Sequence, residues 1–192
     1  MASSALAKWQ GTRAAELDGL EAVQHALRDA GSQRMATTQQ VNRAWAMLLS
    51  SHFQGFCRDL HTEALDCLLE VTRPEKWQRA LRRALLSNRA LDRGNPHAGA
   101  IGHDFNGLGM ALWELVDAAD KRNRRRRDLL DELNRWRNAI AHQDFDPAAL
   151  GGRMTVTVGM IRSWRAACDM LALSFDLVVG RYAAAITNTV PW

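Results

Sequence analysis

Apolar residues in this chain recur at spacings of three and four almost throughout, and strict alternation is nearly absent. Leu17, Leu20, Val23 and Leu27 mark one face of a first predicted helix over residues 12–30, and Gly31-Ser32 supplies its stop. A longer stripe runs through Val41, Trp45, Leu48, Leu49, His52, Phe53, Phe56, Leu60, Leu65, Leu68 and Leu69. It predicts one helix over residues 37–71, starting near Thr37 or Thr38, with Gly55 as a place for a bend or a close helix crossing. Pro74 ends that helix and can open the next. The next spans residues 75–92, with Trp77, Leu81, Leu85 and Leu86 on one side and arginines on the other. Arg93-Gly94-Asn95-Pro96-His97-Ala98-Gly99 reads as a loop.

Over residues 104–120 the glycines Gly102, Gly107 and Gly109 point to short helical pieces, with Leu108, Leu112, Leu115 and Val116 turned inward. A basic run from Lys121 to Arg127 leads into a helix that continues to about Ala141. Asp146-Pro147 is a cap followed by a fresh helical turn, and Gly151-Gly152 is a turn. Met154 to Val158 has strand-like composition but no partner strand, so it reads as the entry to a last helix over residues 158–187. Ile161, Trp164, Ala167, Leu171, Phe175, Val178 and Tyr182 form its apolar face. The expected architecture is all-α, an up-and-down helical bundle with one long helix in the N-terminal half. It is a single domain over residues 1–192 with its core at about 35–185.

Composition narrows the class. At 192 residues the chain can bury a substantial core, and 47% hydrophobic with 24% charged residues is ordinary for a globular protein. Cys57, Cys67 and Cys168 lie in apolar helical contexts with no Cys-x-x-Cys pair, so reduced, buried thiols are expected. The N-terminus lacks the apolar core of a signal peptide. The longest apolar stretch, Met170 to Val179, is broken by Asp176 and falls short of the roughly 20 residues that cross a bilayer. A cytoplasmic protein with no membrane partner is expected. The net charge of +4 permits a nucleic-acid partner without demanding one. The excess of 22 Arg over 3 Lys is something genomic base composition alone can produce. A Gly-rich phosphate loop, a Ser nucleophile elbow and a His-Glu-x-x-His pair are all missing, which argues against enzymes built on them. No cofactor is expected. No metal is expected either, since His97 and His103 flank a loop that lacks the Cys or carboxylate cluster to complete a site.

The candidate chemistry is Arg137-Asn138-Ala139-Ile140-Ala141-His142, at the end of the helix led in by Asp128 to Trp136. Arginine grips a phosphate through two parallel hydrogen bonds, and histidine exchanges protons near neutral pH. Together they can cleave an RNA backbone by its own 2′-hydroxyl. With 22 Arg and 6 His, about one Arg-x-x-x-x-His match arises by chance, so the helix-end context carries the weight. Each residue also has a structural reading: Arg137 paired with Asp131 or Asp144, His142 capping the helix C-terminus, Asn138 a surface amide. Arg122, Arg124, Arg125, Arg126 and Arg127 could track an RNA backbone or form a solvated helix start. His52 reads as a core histidine, and the seven Trp as core or interface.

This set resembles the HEPN superfamily of all-helical domains, whose RNA-cleaving members carry an Arg, a polar residue and, after a few residues, a His. Trp45 to Leu60 resembles the long early helix of the RiboL-PSP type of HEPN domain. Gly94-Asn95-Pro96 and Phe105-Asn106-Gly107-Leu108-Gly109 fit that type too, and the likeness spans roughly residues 35–185. The resemblance implies a metal-independent ribonuclease of toxin–antitoxin or phage-defence systems, or a relative that only binds RNA or protein. Arg137, Asn138 and His142 would carry the chemistry, in a homodimer whose motif helices share a cleft, with a possible cognate antitoxin or defence partner. Members paired with a small nucleotidyltransferase often carry a Tyr two residues after the His; here Asp144 stands there, and the only tyrosine is Tyr182. The spacing adds a geometric point. Five residues on a straight helix turn about 140° and rise about 7.5 Å, so Arg137 and His142 do not converge within one chain, whereas Asn138 and His142 share a face.

Overall fold

The computed structural model describes residues 1–29, 35–71 and 75–192. The chain is all-α, and no strand occurs among the described residues. The predicted stops at Gly31-Ser32 and Pro74 lie outside them.

Helix begins earlier than the first apolar stripe predicts. Ser3 caps α1 (Ser4–Lys8), its Oγ accepting from the Leu6 N–H at 3.0 Å. Glu63 accepts from the Ser4 and Ala5 N–H groups at 3.0 and 2.7 Å, a carboxylate where unpaired helix donors gather. A π-turn over Trp9–Arg13 then runs directly into α2 (Ala14–Asp29). Ala5, Leu6 and Trp9 are core residues, but three apolar positions in one and a half turns leave too short a pattern to read. On α2, Leu17 is buried and Leu20 and Leu27 are half-buried. Val23 faces solvent, and the polar Gln24 takes the buried position beside it.

α3 (Met35–Glu70) is the long helix and passes Gly55 without a break. Gly55 serves a close approach instead of a bend. A Cβ there would lie 2.7 Å from the Arg13 guanidinium, which crosses at that point to donate to Asp59 at 2.7 Å. α3 packs most extensively on α8 (Val158–Thr187), and α8 in turn on α7 (Asn123–His142). Trp45, Phe53, Phe56, Trp136, Trp164 and Phe175 are buried there, each worth about 1.5–3 kcal/mol for its removal from water. α8 is long and apolar enough to cross a membrane by length and composition. Packing on α3, α6 and α7 buries part of that apolar surface, while Met170, Leu173, Leu177 and Ile186 stay exposed. The segment before α8 is not a strand. Val156 is buried, and Gln39 and Asn42 of α3 take the place of a neighbouring strand by donating to its carbonyl at 3.1 and 2.8 Å.

The middle of the chain departs from expectation at the end of α4 and at Leu115, while its short helical pieces form as expected. The predicted 75–92 helix ends at Ser87 as α4 (Glu75–Ser87), and a 3₁₀ turn follows at Ala90–Asp92. Trp77 and Leu81, on the apolar side, are 55% and 41% exposed, and α4 buries no residue fully. The glycine-rich stretch resolves into α5 (Ala98–Gly107) and α6 (Leu112–Ala119), broken at Gly109, whose φ of +77° suits glycine. Leu112 and Val116, one turn apart, face the core, which turns Leu115 outward.

Candidate active site

His142 is the last residue of α7. Gln143 takes the left-handed conformation at φ 55°, and the Asp144 N–H bonds back to the Ala139 carbonyl at 3.0 Å, closing the helix in a Schellman-type turn. The residue that caps is therefore Gln143, whose Nε2 also donates to the Ile140 carbonyl at 2.8 Å. The His142 side chain is exposed and makes no hydrogen bond among the described residues.

The five-residue spacing has its geometric consequence. Arg137 lines a cleft of about 410 Å³ with Gln54, Asp92, Arg93, Gly94, Asn95 and Asn138. His142 lines a second cleft of about 350 Å³ with Arg135, Asn138, Ala139, Asp144, Asp146, Ala149 and Leu150. Asn138 belongs to both and forms the ridge between them. Within one chain, Asn138 and His142 come together and Arg137 and His142 do not.

The wall of the Arg137 cleft is the loop between α4 and α5, and it is held from four sides. Asn95 donates to the Asn138 amide oxygen, so the Gly94-Asn95-Pro96 stretch lies directly on the motif. Buried Asn134, one turn before Asn138, donates to the Pro96 carbonyl at 3.0 Å and accepts from Ser50 of α3 at 3.2 Å. Gln54 donates to the Gly94 carbonyl at 2.8 Å. Asp104 of α5 accepts from the Ala90 and Leu91 N–H groups at 2.6 and 2.9 Å. Asp92 pairs in a fork with buried Arg89 and also with Arg58 at 2.7 Å, so its charge is spoken for.

Arg137 has no such partner. Asp131 instead accepts from the Ala98 N–H at 3.0 Å, and neither it nor Asp144 pairs with Arg137. Among the described residues no carboxylate lies within ion-pair distance of Arg137, and its side chain is half-buried in the cleft. The arrangement offers an uncompensated guanidinium, an amide and, across a ridge, an accessible imidazole.

The arginine run lies elsewhere. Arg124 to Arg127 occupy the first turn of α7, and Arg125 stands about 25 Å along the axis from His142. Four cations at the positive end of a helix are unfavourable alone. Asp117 and Asp120 compensate: Arg124 and Arg127 lie 3.4 and 3.5 Å from Asp117, and Arg126 lies 2.9 Å from Asp120. Hydrogen bonds from Arg122, first its side chain and then its backbone, hold Asp120 well below the usual carboxylate range. Arg127 also lies over the Trp113 ring at 5.2 Å. Of the four, only Arg125 is without an acidic partner among the described residues.

His52, His61 and His97 have structural surroundings. His52 is half-buried against Glu16 at 2.9 Å, and burial lowers its pKa. His97 caps α5, accepting from the Ala100 N–H at 3.2 Å, while His103 is exposed. Buried His61 packs edge-on to Phe105, and burial followed by the charge of Arg89 lowers its pKa. The sequence reading missed Gln54, Asn95, Asn134 and Asp104. Asn134 alone left a signal, standing four residues before Asn138 on the same helix.

No protein-family model, no curated protein and no solved structure matches this chain.

Proposed function

We propose that this protein is an endoribonuclease of the HEPN type, acting as a toxin or antiviral defence effector. It cuts RNA without a catalytic metal. The observation that carries the reading is Arg137, a half-buried cation with no carboxylate to neutralise it among the described residues. It shares a ridge residue, Asn138, with an exposed histidine. An unpaired arginine in a polar cleft is suited to an anion, and the guanidinium fork matches a phosphate as it does a carboxylate.

In the reaction, His142 takes the proton of the ribose 2′-hydroxyl. The freed O2′ attacks phosphorus, and the P–O5′ bond breaks. A protonated imidazole returns a proton to O5′, leaving a 2′,3′-cyclic phosphate and a 5′-hydroxyl. Arg137 stabilises the extra negative charge of the phosphorane, and Asn138 orients His142 or a phosphate oxygen. The separation of the two clefts calls for a second copy. In a two-fold dimer with the α7 C-terminal ends facing, Arg137 of one copy meets the partner's His142, and the two imidazoles divide the acid and base roles. The same separation favours a second reading, a module that binds RNA or a protein through these clefts without cutting.

The test is RNA cleavage by the purified protein in excess EDTA beside Arg137→Ala and His142→Ala. The proposal expects cyclic-phosphate ends from the wild type, and a rate loss of at least about a hundredfold in each variant. Full activity in either variant overturns the assignment. Inactivity of all three on several RNA classes, with RNA still bound, selects the binding module.

A further inference from the structure

Besides Arg125 and Arg137, cations without an acidic partner among the described residues occur on α4. From its sequence α4 is strongly two-sided, yet only the Leu85 and Leu86 end of its apolar side turns towards the body of the protein. Gln78, Arg82, Leu85 and Leu86 are half-buried towards the body of the protein, where Arg82 pairs with Asp66 at 2.8 Å. The outward side carries two edges. Lys76, Arg79 and Arg83 fall within about 60° of one another on one edge, and Trp77 and Leu81 stand about 100–160° further round on the other, across exposed Ala80 and Ala84. Neither Arg79 nor Arg83 has an acidic partner among the described residues, and Lys76 lies 6.0 Å from the Trp77 ring centre.

We infer that this face of α4 is a docking site for the single-stranded RNA flanking the cut. The inference rests on the ribonuclease reading of the neighbouring cleft. Two observations select RNA. One is chemical: the exposed indole on one edge of α4 offers a stacking surface for a base, and the guanidinium groups on the other, across the small side chains of Ala80 and Ala84, offer counter-charges for its backbone. The other is continuity. α4 ends at Ser87, whose carbonyl accepts from Arg93 at 2.8 Å, and Arg93 lines the Arg137 cleft. A basic track therefore runs from Arg137 through Arg93 to Arg83, Arg79 and Lys76, with Trp77 about 15 Å along α4 from Ser87. The arginines at the start of α7 offer no equivalent, because acids occupy most of them.

The experiment measures binding of two uncleavable 2′-O-methyl RNAs, one of about 6 and one of about 20 nucleotides. The proteins are the wild type, Trp77→Ala and the double variant Arg79→Gln/Arg83→Gln, across a salt series. All three substituted side chains are exposed, and circular dichroism melts check that the variants fold like the wild type. The long RNA should bind about tenfold more weakly to each variant. The slope of log K against log salt should fall by about 1.4 in the double variant, two phosphates at about 0.7 each. The short RNA should bind all three alike, and cleavage of a short substrate should keep its kcat. Wild-type affinity of both variants for the long RNA overturns the site. So does an equal loss on the short RNA, or variants that lose only phosphatidylserine vesicles, which would assign the face to a membrane. Failure of the ribonuclease reading shows differently: no protein cleaves, yet the long RNA alone loses affinity in the variants, and the docking site stands.

Discussion

Removing the Asp104 carboxylate should loosen the wall of the Arg137 cleft before it loosens the core. Asp104 is 5% exposed, and its two oxygens accept from the Ala90 and Leu91 N–H groups, the first residues of the 3₁₀ turn. Asp104→Ala leaves both donors without an acceptor. A buried donor left unpaired costs about 1–3 kcal/mol. Leu91 is fully buried and Ala90 partly so, which places the sum near about 3 kcal/mol. In a domain of this size each kcal/mol lowers the melting temperature by about 2–4 °C, giving a fall of about 6–12 °C. Asp104→Asn keeps one acceptor oxygen and turns an NH₂ towards the other donor, so about half that loss is expected. Differential scanning calorimetry measures the sum, and hydrogen exchange locates it. In Asp104→Asn, exchange should accelerate at Ala90 to Asn95 while α8 keeps wild-type protection. The loop also presents Asn95 to Asn138, so RNA binding in the cleft should weaken in the same variant. Melting of Asp104→Ala within about 1 °C of the wild type would refute the reasoning. So would unchanged exchange at Leu91.

Three further outcomes follow from the same contacts. Val at Gln143, the left-handed residue after His142, should cost about 2 kcal/mol and fray the last turn of α7, read by denaturant melts and by exchange at Ala141 and His142. Burial lowers the pKa of His61 below its ordinary 6.5, so the unfolded chain binds the extra proton first and stability falls as pH drops from 6.5 through the lowered native value. Urea melts at pH 7.5 and 5.5 should show a smaller loss in His61→Gln than in the wild type, with the remainder including His52, which shifts the same way. Burial closes Cys57 and Cys168 to solvent and pushes their thiols well up, while half-buried Cys67 is raised but reachable, so iodoacetamide should label Cys67 in the native protein and the other two only on unfolding, seen by peptide mass spectrometry.

The long elements were legible because each carries its periodicity over many turns. Ile161 to Val178 fixed α8 at residues 158–187, and the stripe from Trp45 to Leu69 fixed the body of α3. α1 was not legible: Ala5, Leu6 and Trp9 are too few to show a period, and what orders them is Ser3 below and Glu63 from a helix some sixty residues away. α4 was legible as a two-sided helix but not in its orientation. Its apolar side is well formed, but a moment in one helix says nothing about which side a neighbour will cover, and α3 covers the flank bearing Arg82 and Leu85.

At the site, the angle between Arg137 and His142 followed from helix geometry, and the two clefts are its consequence. The walls did not follow, because backbone carbonyls and amides build them: Pro96 against Asn134, Gly94 against Gln54, Asn95 against Asn138. Such contacts join segments about forty residues apart through groups that every sequence possesses, so no residue type announces them. Charge shows the same limit. The run at Arg124 to Arg127 and the arginines of α4 look alike as letters, but Asp117 and Asp120 stand a turn or two upstream of the first set and lie against it. A cation matters to a distant phosphate only to the degree that no nearer anion holds it. Arg137, Arg79 and Arg83 meet that condition in the fold, and most of the more conspicuous run does not.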